Sequence, residues 1–343
     1  MRALFLIPGD LNRKTGGYGY DRRVIAEASA HGVTLEPVRL ADSFPFPTER
    51  ERVGTIELIA ALPHGIPLLI DGLAFGAFDQ AMLASLNGPV VALVHHPLAY
   101  ENGTPADKAA ALKISERAAL RYADAIIVTS APTRSLLMSE FDVPEAKIRV
   151  AVPGTDAAKF AHGSGLDAPV ILGVGSLTPR KAWSVLIAAL DLCRNADWTM
   201  HIIGTGPEHT ALSEQIETTG LGNRIHLVGE VDEAALAEHY NRADLFIMPS
   251  LYEGFGMALT EALAHGLPSI ASDGVVALQH LPEGAAQTVK AGDVEALANA
   301  IKAMLDPTVR AHAAEGARAA AVSLPRWDTT ARIITDTIRS VAR

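Results

Sequence analysis

The sequence predicts an α/β protein made of two Rossmann-like domains facing one another. Three observations carry this reading. Short β-branched or Leu-rich runs alternate with longer helical patterns almost from end to end, which builds parallel sheets covered by helices. The 343 residues are roughly twice a typical domain. Between residues 153 and 168, Pro153, Gly154, Gly163 and Gly165 crowd a polar stretch, as they do where one domain ends and another begins.

The elements follow in order. In the first half, strands are expected at 2–7, 33–39, 66–70, 90–94, 125–129 and 148–152, with helical segments at 107–121 and 131–140. In the second half, strands are expected at 169–174, 198–203, 225–228, 244–248, 268–271 and 285–290. Helical spacing separates them at 181–194, 208–219, 232–242, 257–265 and 293–305. A last helix should begin after Pro325. The expected organisation is an N-terminal domain over 1–158, a second domain over 159–326 and a terminal helix over 327–343.

Composition excludes several functions. A 49% hydrophobic share with 20% charged residues is too apolar for a disordered chain. Twenty-nine Lys and Arg stand against 39 Asp and Glu, a formal charge of −10, which argues against nucleic acid as the partner. Cys193 is the single cysteine, so no disulfide framework or cysteine-based metal site is available. The opening apolar run stops at Pro8, too short for a secretory leader, and no run approaches the length of a membrane span. The expected location is the cytoplasm. Peripheral contact with a membrane stays open, although no strongly basic amphipathic helix argues for it.

In open parallel sheets, ligands bind where strands end and helices begin, so the loops that follow strands should hold the chemistry. After the first strand comes a glycine-rich loop containing Gly16, Gly17 and Gly19, ahead of a helix starting near Asp21. Bare backbone there can approach a phosphate, or the loop is an ordinary surface loop. After the strand at 90–94 stand His95, His96 and Pro97. No third metal ligand lies at helical spacing from them, so the reading is either a neutral imidazole bonded to a substrate hydroxyl or a structural histidine. Arg180 and Lys181 precede a helix, where the dipole disfavours cations unless an anion is bound. Gly204 and Gly206 form a tight turn into a helix.

The stretch 249–268 says most. Glu253 lies between the strand and a helix expected to start near Gly256 and to end at Gly266. Glu261 is the sole carboxylate on that largely apolar helix, so it must find hydrogen-bond donors or face a cavity. Sugar or ribose hydroxyls are suitable donors. No Asp-x-Asp occurs to hold a divalent ion against a diphosphate, and no zinc-protease or Gly-x-Ser-x-Gly motif appears. A metal-independent site is expected.

Taken together, these residues resemble glycosyltransferase family 4. The signature runs from Pro249-Ser250-Leu251-Tyr252-Glu253-Gly254-Phe255-Gly256 to Glu261 and on to His265-Gly266-Leu267-Pro268. Arg180-Lys181, Gly204-Thr205-Gly206-Pro207, the Gly16-Gly17 loop and His95-His96-Pro97 appear in the family's order. The likeness is strong over 170–305 and looser before it. The family implies the GT-B fold, with the last helix crossing back to the first domain, and retaining transfer from a nucleotide sugar. It further implies that Lys181 and Arg180 bind the donor diphosphate. Glu253, with the amides of Gly254, Phe255 and Gly256, would hold the transferred sugar. Glu261 would bind the ribose, and backbone from Gly229 to Val231 would lie near the base. Gly16 and Gly17 would approach the diphosphate, Gly204 and Gly206 would help form the donor site, and His95 would contact the sugar. Ser176 stands where many relatives carry a second basic residue, and Ala182 where many carry glycine.

The expected donor is a UDP- or GDP-sugar, with no cofactor and no metal. The acceptor is an unidentified saccharide, lipid-linked glycan or small molecule. Three other readings compete. One is a GT-B epimerase or phosphorylase, which product analysis with and without acceptor separates. A second is a non-catalytic nucleotide-sugar-binding subunit. The third, an NAD-dependent dehydrogenase, is weakened because the first strand–helix unit lacks the Gly-x-Gly-x-x-Gly fingerprint.

Overall fold

A computed structural model describes residues 1–100 and 104–342 of the chain. It divides into two compact units, one of Met1–Gly154 with Pro325–Arg343 and one of Thr155–Leu324.

The first unit is a six-stranded parallel sheet of β1 (Arg2–Pro8), β2 (Thr34–Leu40), β3 (Leu68–Asp71), β4 (Val90–Val94), β5 (Ala125–Val128) and β6 (Ile148–Val150), in the order β2-β1-β3-β4-β5-β6. Its helices are α1 (Gly16–Ala28), α2 (Glu49–Ala60), α3 (Gly72–Phe75), α4 (Gln80–Ser85), α5 (Ala106–Tyr122) and α6 (Ala131–Phe141). All of β3, β4 and β5 are buried, which is why they read as unbroken apolar runs. Each fully buried Leu or Ile there contributes about 1.5–3 kcal/mol.

The second unit is another parallel sheet of six: β7 (Val170–Val174), β8 (Thr199–Ile203), β9 (Ile225–Gly229), β10 (Leu245–Met248), β11 (Ser269–Ser272) and β12 (Gln287–Val289). Their order is β12-β11-β10-β7-β8-β9. Its helices are α7 (Trp183–Asp191), α8 (His209–Thr218), α9 (Glu233–Arg242), α10 (Met257–Ala264), α11 (Val294–Leu305) and α12 (Pro307–Ala321). The final helix, α13 (Trp327–Val341), packs on α1 of the first unit. Trp327 is buried edge-to-face against Tyr20, and the Thr330 hydroxyl donates to Val152 O at 2.6 Å.

In each sheet the chain reverses its winding direction at one place: between β1 and β3 in the first unit, and between β7 and β10 in the second. Connections leave such a pair toward opposite faces, and a crevice opens at the strands' C-terminal ends. The loops after β1, β3, β7 and β10 are therefore where each unit can hold a ligand.

The expected strands are present with ends moved by a residue or two. Three helical features differ from expectation. Helix α1 begins at Gly16, not near Asp21, so both glycines form its first turn. Helices α2, α3, α4 and α12 occupy stretches with no assigned element. Helix α7 begins at Trp183, because Pro179–Lys181 form a separate 3₁₀ turn and Ala182 breaks the path with φ +54°. Among the described residues, no helix is long and apolar enough to cross a membrane.

Candidate active site

The crossover point of the second unit gathers three of the residues singled out in its sequence: Arg180, Lys181 and Glu253. The 3₁₀ turn after β7 carries Arg180 and Lys181, and the loop after β10 carries Glu253. Lys181 Nζ lies 2.6 Å from Glu253 Oε1, and Arg180 Nη1 lies 3.0 Å from Glu253 Oε2. The Ser250 hydroxyl donates to Glu253 Oε1 at 2.8 Å. Burial alone would raise the Glu253 carboxyl, but Lys181 and then Arg180 outweigh it and hold it below the ordinary range. Glu253 is only 7% exposed, so the ion pair is largely out of water. Two cations share one carboxylate, which leaves one positive charge over.

The backbone around this cluster is tightly held. Glu253 N donates to Gly274 O, Ala277 N donates to Phe255 O, and Arg180 Nη1 also reaches Tyr252 O at 2.8 Å. Gly254 and Gly256 flank Phe255, and Gly256 stands immediately before α10. That helix ends as expected at Gly266. Gly266 N donates to Leu263 O and Leu267 N to Ala262 O, with Gly266 at φ +66°, the paired closure that favours glycine.

Of the two expected outcomes for Glu261, the structure shows a hydrogen-bond donor. The Tyr240 hydroxyl donates to its Oε2 at 3.0 Å, so the carboxylate is not left bare. Burial still pushes Glu261 up, partly opposed by that hydrogen bond, and Asp156 raises it further. Lys181 is near enough to act on its charge. Glu261 thus belongs to the electrostatic neighbourhood of the Lys181 cluster without joining its ion pairs.

Gly204 and Gly206 have a reason within the chain itself. A Cβ on Gly204 would stand 2.1 Å from Gly175 O, and one on Gly206 2.3 Å from Leu177 O. The turn is pressed against the loop that leads to Arg180, and Leu177 N donates to Thr205 O at 2.9 Å. Gly229 ends β9, and Val231 lies between β9 and α9.

The first unit shows a cluster at its own crossover point that local spacing does not reveal. His95 follows β4, Asp71 ends β3 and Asp21 lies on α1. His95 Nε2 is 3.1 Å from Asp21 Oδ1 and 3.5 Å from Asp71 Oδ2. Asp71 also caps α3, accepting from Leu73 N at 2.7 Å. Burial alone would lower the His95 pKa, but Asp21 and then Asp71 raise it to about 10. Burial in turn raises Asp21 to about 6 even with the imidazole beside it. The expectation of a neutral imidazole is therefore corrected, because two buried carboxylates favour the charged ring. The partners of His95 come from distant positions, none of them at helical spacing from it. Atoms of Asp21, Asp71 and His95 come within 4.8 Å of one another across 75 residues of chain, from position 21 to 95. Gly17 lies beside His95, where a Cβ would rest 3.6 Å from the ring.

No local motif marks Asp21, and the one sequence signal at Asp71 is an acid that closes an apolar strand. Glu116 of α5 carries no such signal. Buried and pushed up to about 8 by that burial, it accepts from Leu98 N and so steadies the turn after His95-His96-Pro97.

Comparison with known proteins agrees over most of the chain. Residues 154–320 match the family described as glycosyl transferases group 1, and residues 19–159 match Glycosyltransferase Family 4. A GDP-mannose-dependent alpha-(1-6)-phosphatidylinositol monomannoside mannosyltransferase of Mycolicibacterium smegmatis is 28% identical, covering 92% of this chain and 85% of that one. Three other curated relatives are matched over 42%, 59% and 55% of their own length, so the chain spans about half of each. Among solved structures, a sucrose-phosphate synthase from Thermosynechococcus elongatus aligns with a TM-score of 0.80 at 22% identity, covering 99% of this chain and 98% of that one. The Anabaena protein HepE, solved with UDP and glucose, aligns at 0.78 and 19% identity over 99% and 100% of the two chains. At those identities the structural likeness speaks for the two-sheet GT-B fold alone.

Proposed function

The chain belongs to glycosyltransferase family 4, and from that premise we propose that it moves a sugar from a UDP- or GDP-sugar to an acceptor hydroxyl. The transfer proceeds with retention at the anomeric carbon and needs no divalent ion. The observation that carries this reading is the Arg180–Lys181–Glu253 cluster, a cation surplus fixed at the crossover point of the second unit.

A diphosphate entering there meets two cations already held in place, so little reorganisation is needed when the leaving group gains charge. In the empty site Glu253 offsets one of their two charges. A bound diphosphate takes over that task and frees Glu253 to accept hydrogen bonds from the sugar, with the amides of Gly254, Phe255 and Gly256 alongside. Glu261, already oriented by Tyr240, takes the ribose hydroxyls. Backbone near Gly229 and Val231 lies against the base, and the turn at Gly204 and Gly206 buttresses the loop that bears Lys181. Within the first unit, Gly16 and Gly17 offer backbone amides and His95 a ring donor to ligand oxygens.

The transition state is oxocarbenium-like, and no carboxylate of this chain is assigned as nucleophile. The acceptor oxygen attacks on the face the diphosphate leaves, and the departing phosphate oxygen takes the acceptor's proton. The C1–O bond to phosphate breaks as the bond to the acceptor forms. The acceptor we propose lies in bacterial glycolipid, glycan or polysaccharide synthesis, a reading supported by the phosphatidylinositol and lipopolysaccharide mannosyltransferases among the relatives.

Lys181→Ala tests the assignment. With the donor supplied, kcat/KM should fall at least about 100-fold, a loss of about 2.7 kcal/mol at the transition state. Unchanged turnover would remove Lys181 from the diphosphate.

A further inference from the structure

We infer that His95 is kept as an imidazolium whose Nε2–H is taken up by Asp21 and Asp71, leaving Nδ1–H as its one donor for a ligand, and that Asp21 is the positioning residue that maintains this state. The inference rests on the proposed transferase reading and deepens it. His95 then serves as a fixed, charge-bearing donor to an oxygen lone pair, on a sugar hydroxyl or a phosphate, and takes no proton from the acceptor.

The geometry makes the argument. One ring nitrogen lies within 3.1 Å and 3.5 Å of oxygens on two different carboxylates. A bare Nε2 lone pair would face two negative charges, so Nε2 must carry a hydrogen. Asp21 is fully buried and Asp71 is 4% exposed, so neither charge is relieved by water. Asp21 Oδ2 has no hydrogen-bond partner, which leaves its carboxylate dependent on a nearby cation. A carboxylate this close and this shielded from water strongly favours the charged form of the ring. Raising of the His95 pKa to about 10 agrees.

Among the described residues, the groups packed around the ring offer it no competing charge. From α1, Tyr20 meets the imidazole edge-on at 5.1 Å, and its hydroxyl is spent on Ala151 O. Tyr18, which feels Asp71, donates to Pro8 O. Arg22 acts on Asp21 only at range, because its guanidinium bonds Leu11 O and Arg13 O. From β5, the Thr129 hydroxyl is directed to His95 O. Among the described residues nothing pairs with Nδ1, and a quarter of the side chain remains exposed. The ring is anchored on one side and open on the other.

The test is an NMR titration of ¹⁵N-histidine-labelled full chain without ligand, following both His95 ring nitrogens from about pH 5 to about pH 10.5. His95→Gln supplies the assignment. Both nitrogens should stay protonated past about pH 9, and in Asp21→Asn the titration should drop by at least about two pH units. Asp71→Asn, which can still cap α3, should move it the same way and covers the case in which Asp21→Asn does not fold. The pH profile of kcat/KM in whichever variant folds should acquire a fall at the new His95 midpoint. A wild-type midpoint near 6.5 would overturn the inference, as would variants that leave it in place. So would stoichiometric Zn²⁺ or Mn²⁺ by elemental analysis whose removal changes the His95 signal. A high His95 midpoint in a chain that transfers no sugar would break the transferase reading alone.

Discussion

The two units place opposite charge balances at the same topological position. At the crossover between β7 and β10, two cations surround one carboxylate. At the crossover between β1 and β3, two carboxylates surround one histidine. Parallel sheets direct helix N-termini toward both places, so each can favour an anion through its dipoles. Side chains then decide what each accepts. The second unit keeps a positive surplus and suits a polyanion, whereas the first keeps a negative one and suits hydroxyl groups. On the proposed reading, the diphosphate belongs to Arg180 and Lys181, and hydroxyl oxygens to His95.

The largest consequence of this contrast concerns pH. His95 has a raised pKa, so its contribution to stability is fully present below about pH 6.5 and is lost as pH climbs through about 10. Denaturant unfolding should show a loss on the order of 4 kcal/mol across that window, with Asp21→Asn flattening the slope. A wild-type profile already flat there would remove the first cluster's charge asymmetry.

Next in size is Glu253→Gln. It strips the counter-charge from two largely buried cations and should cost about 3 kcal/mol of stability in the empty protein. Because a nucleoside diphosphate can replace that charge, the melting-temperature rise on adding UDP or GDP should be greater in the variant than in the wild type. An equal or smaller rise would mean that Glu253 and the diphosphate do not exchange for the same cations.

The smallest effect belongs to Ala182, which has a left-handed backbone at φ +54° directly after Lys181. Ala182→Gly should stabilise the chain by about 0.5–1 kcal/mol, since glycine adopts that conformation without a Cβ penalty. The glycine that the family resemblance implies at this position thus has a backbone reason. A destabilised Ala182→Gly would show that lost packing at this buried position outweighs the relief.

The contrast also marks what could be read in advance. The Lys181 cluster was legible because its members stand on motifs directly after strands. The Asp21–Asp71–His95 cluster was not, because sheet order, and no local spacing, brings three distant positions together. Helix α2 buries only Thr55 and Ile59, so its apolar period is faint, yet its Thr48–Glu51 capping box was present in the sequence as Thr-x-x-Glu. Asp306 and Pro307 likewise announced α12, as N-cap and first helical residue, in an Ala-rich stretch of weak amphipathic pattern. At α1 the two glycines looked like loop and proved to be the first turn.

The most direct measurement is calorimetric titration of wild-type chain and Lys181→Ala with UDP and GDP, each with and without EDTA. The wild type should bind one of the two nucleotides with the same Kd in chelator, and Lys181→Ala should bind it at least about tenfold more weakly, about 1.4 kcal/mol. Wild-type binding that disappears in EDTA and returns only with Mg²⁺ or Mn²⁺ would contradict a diphosphate site built on fixed side-chain cations.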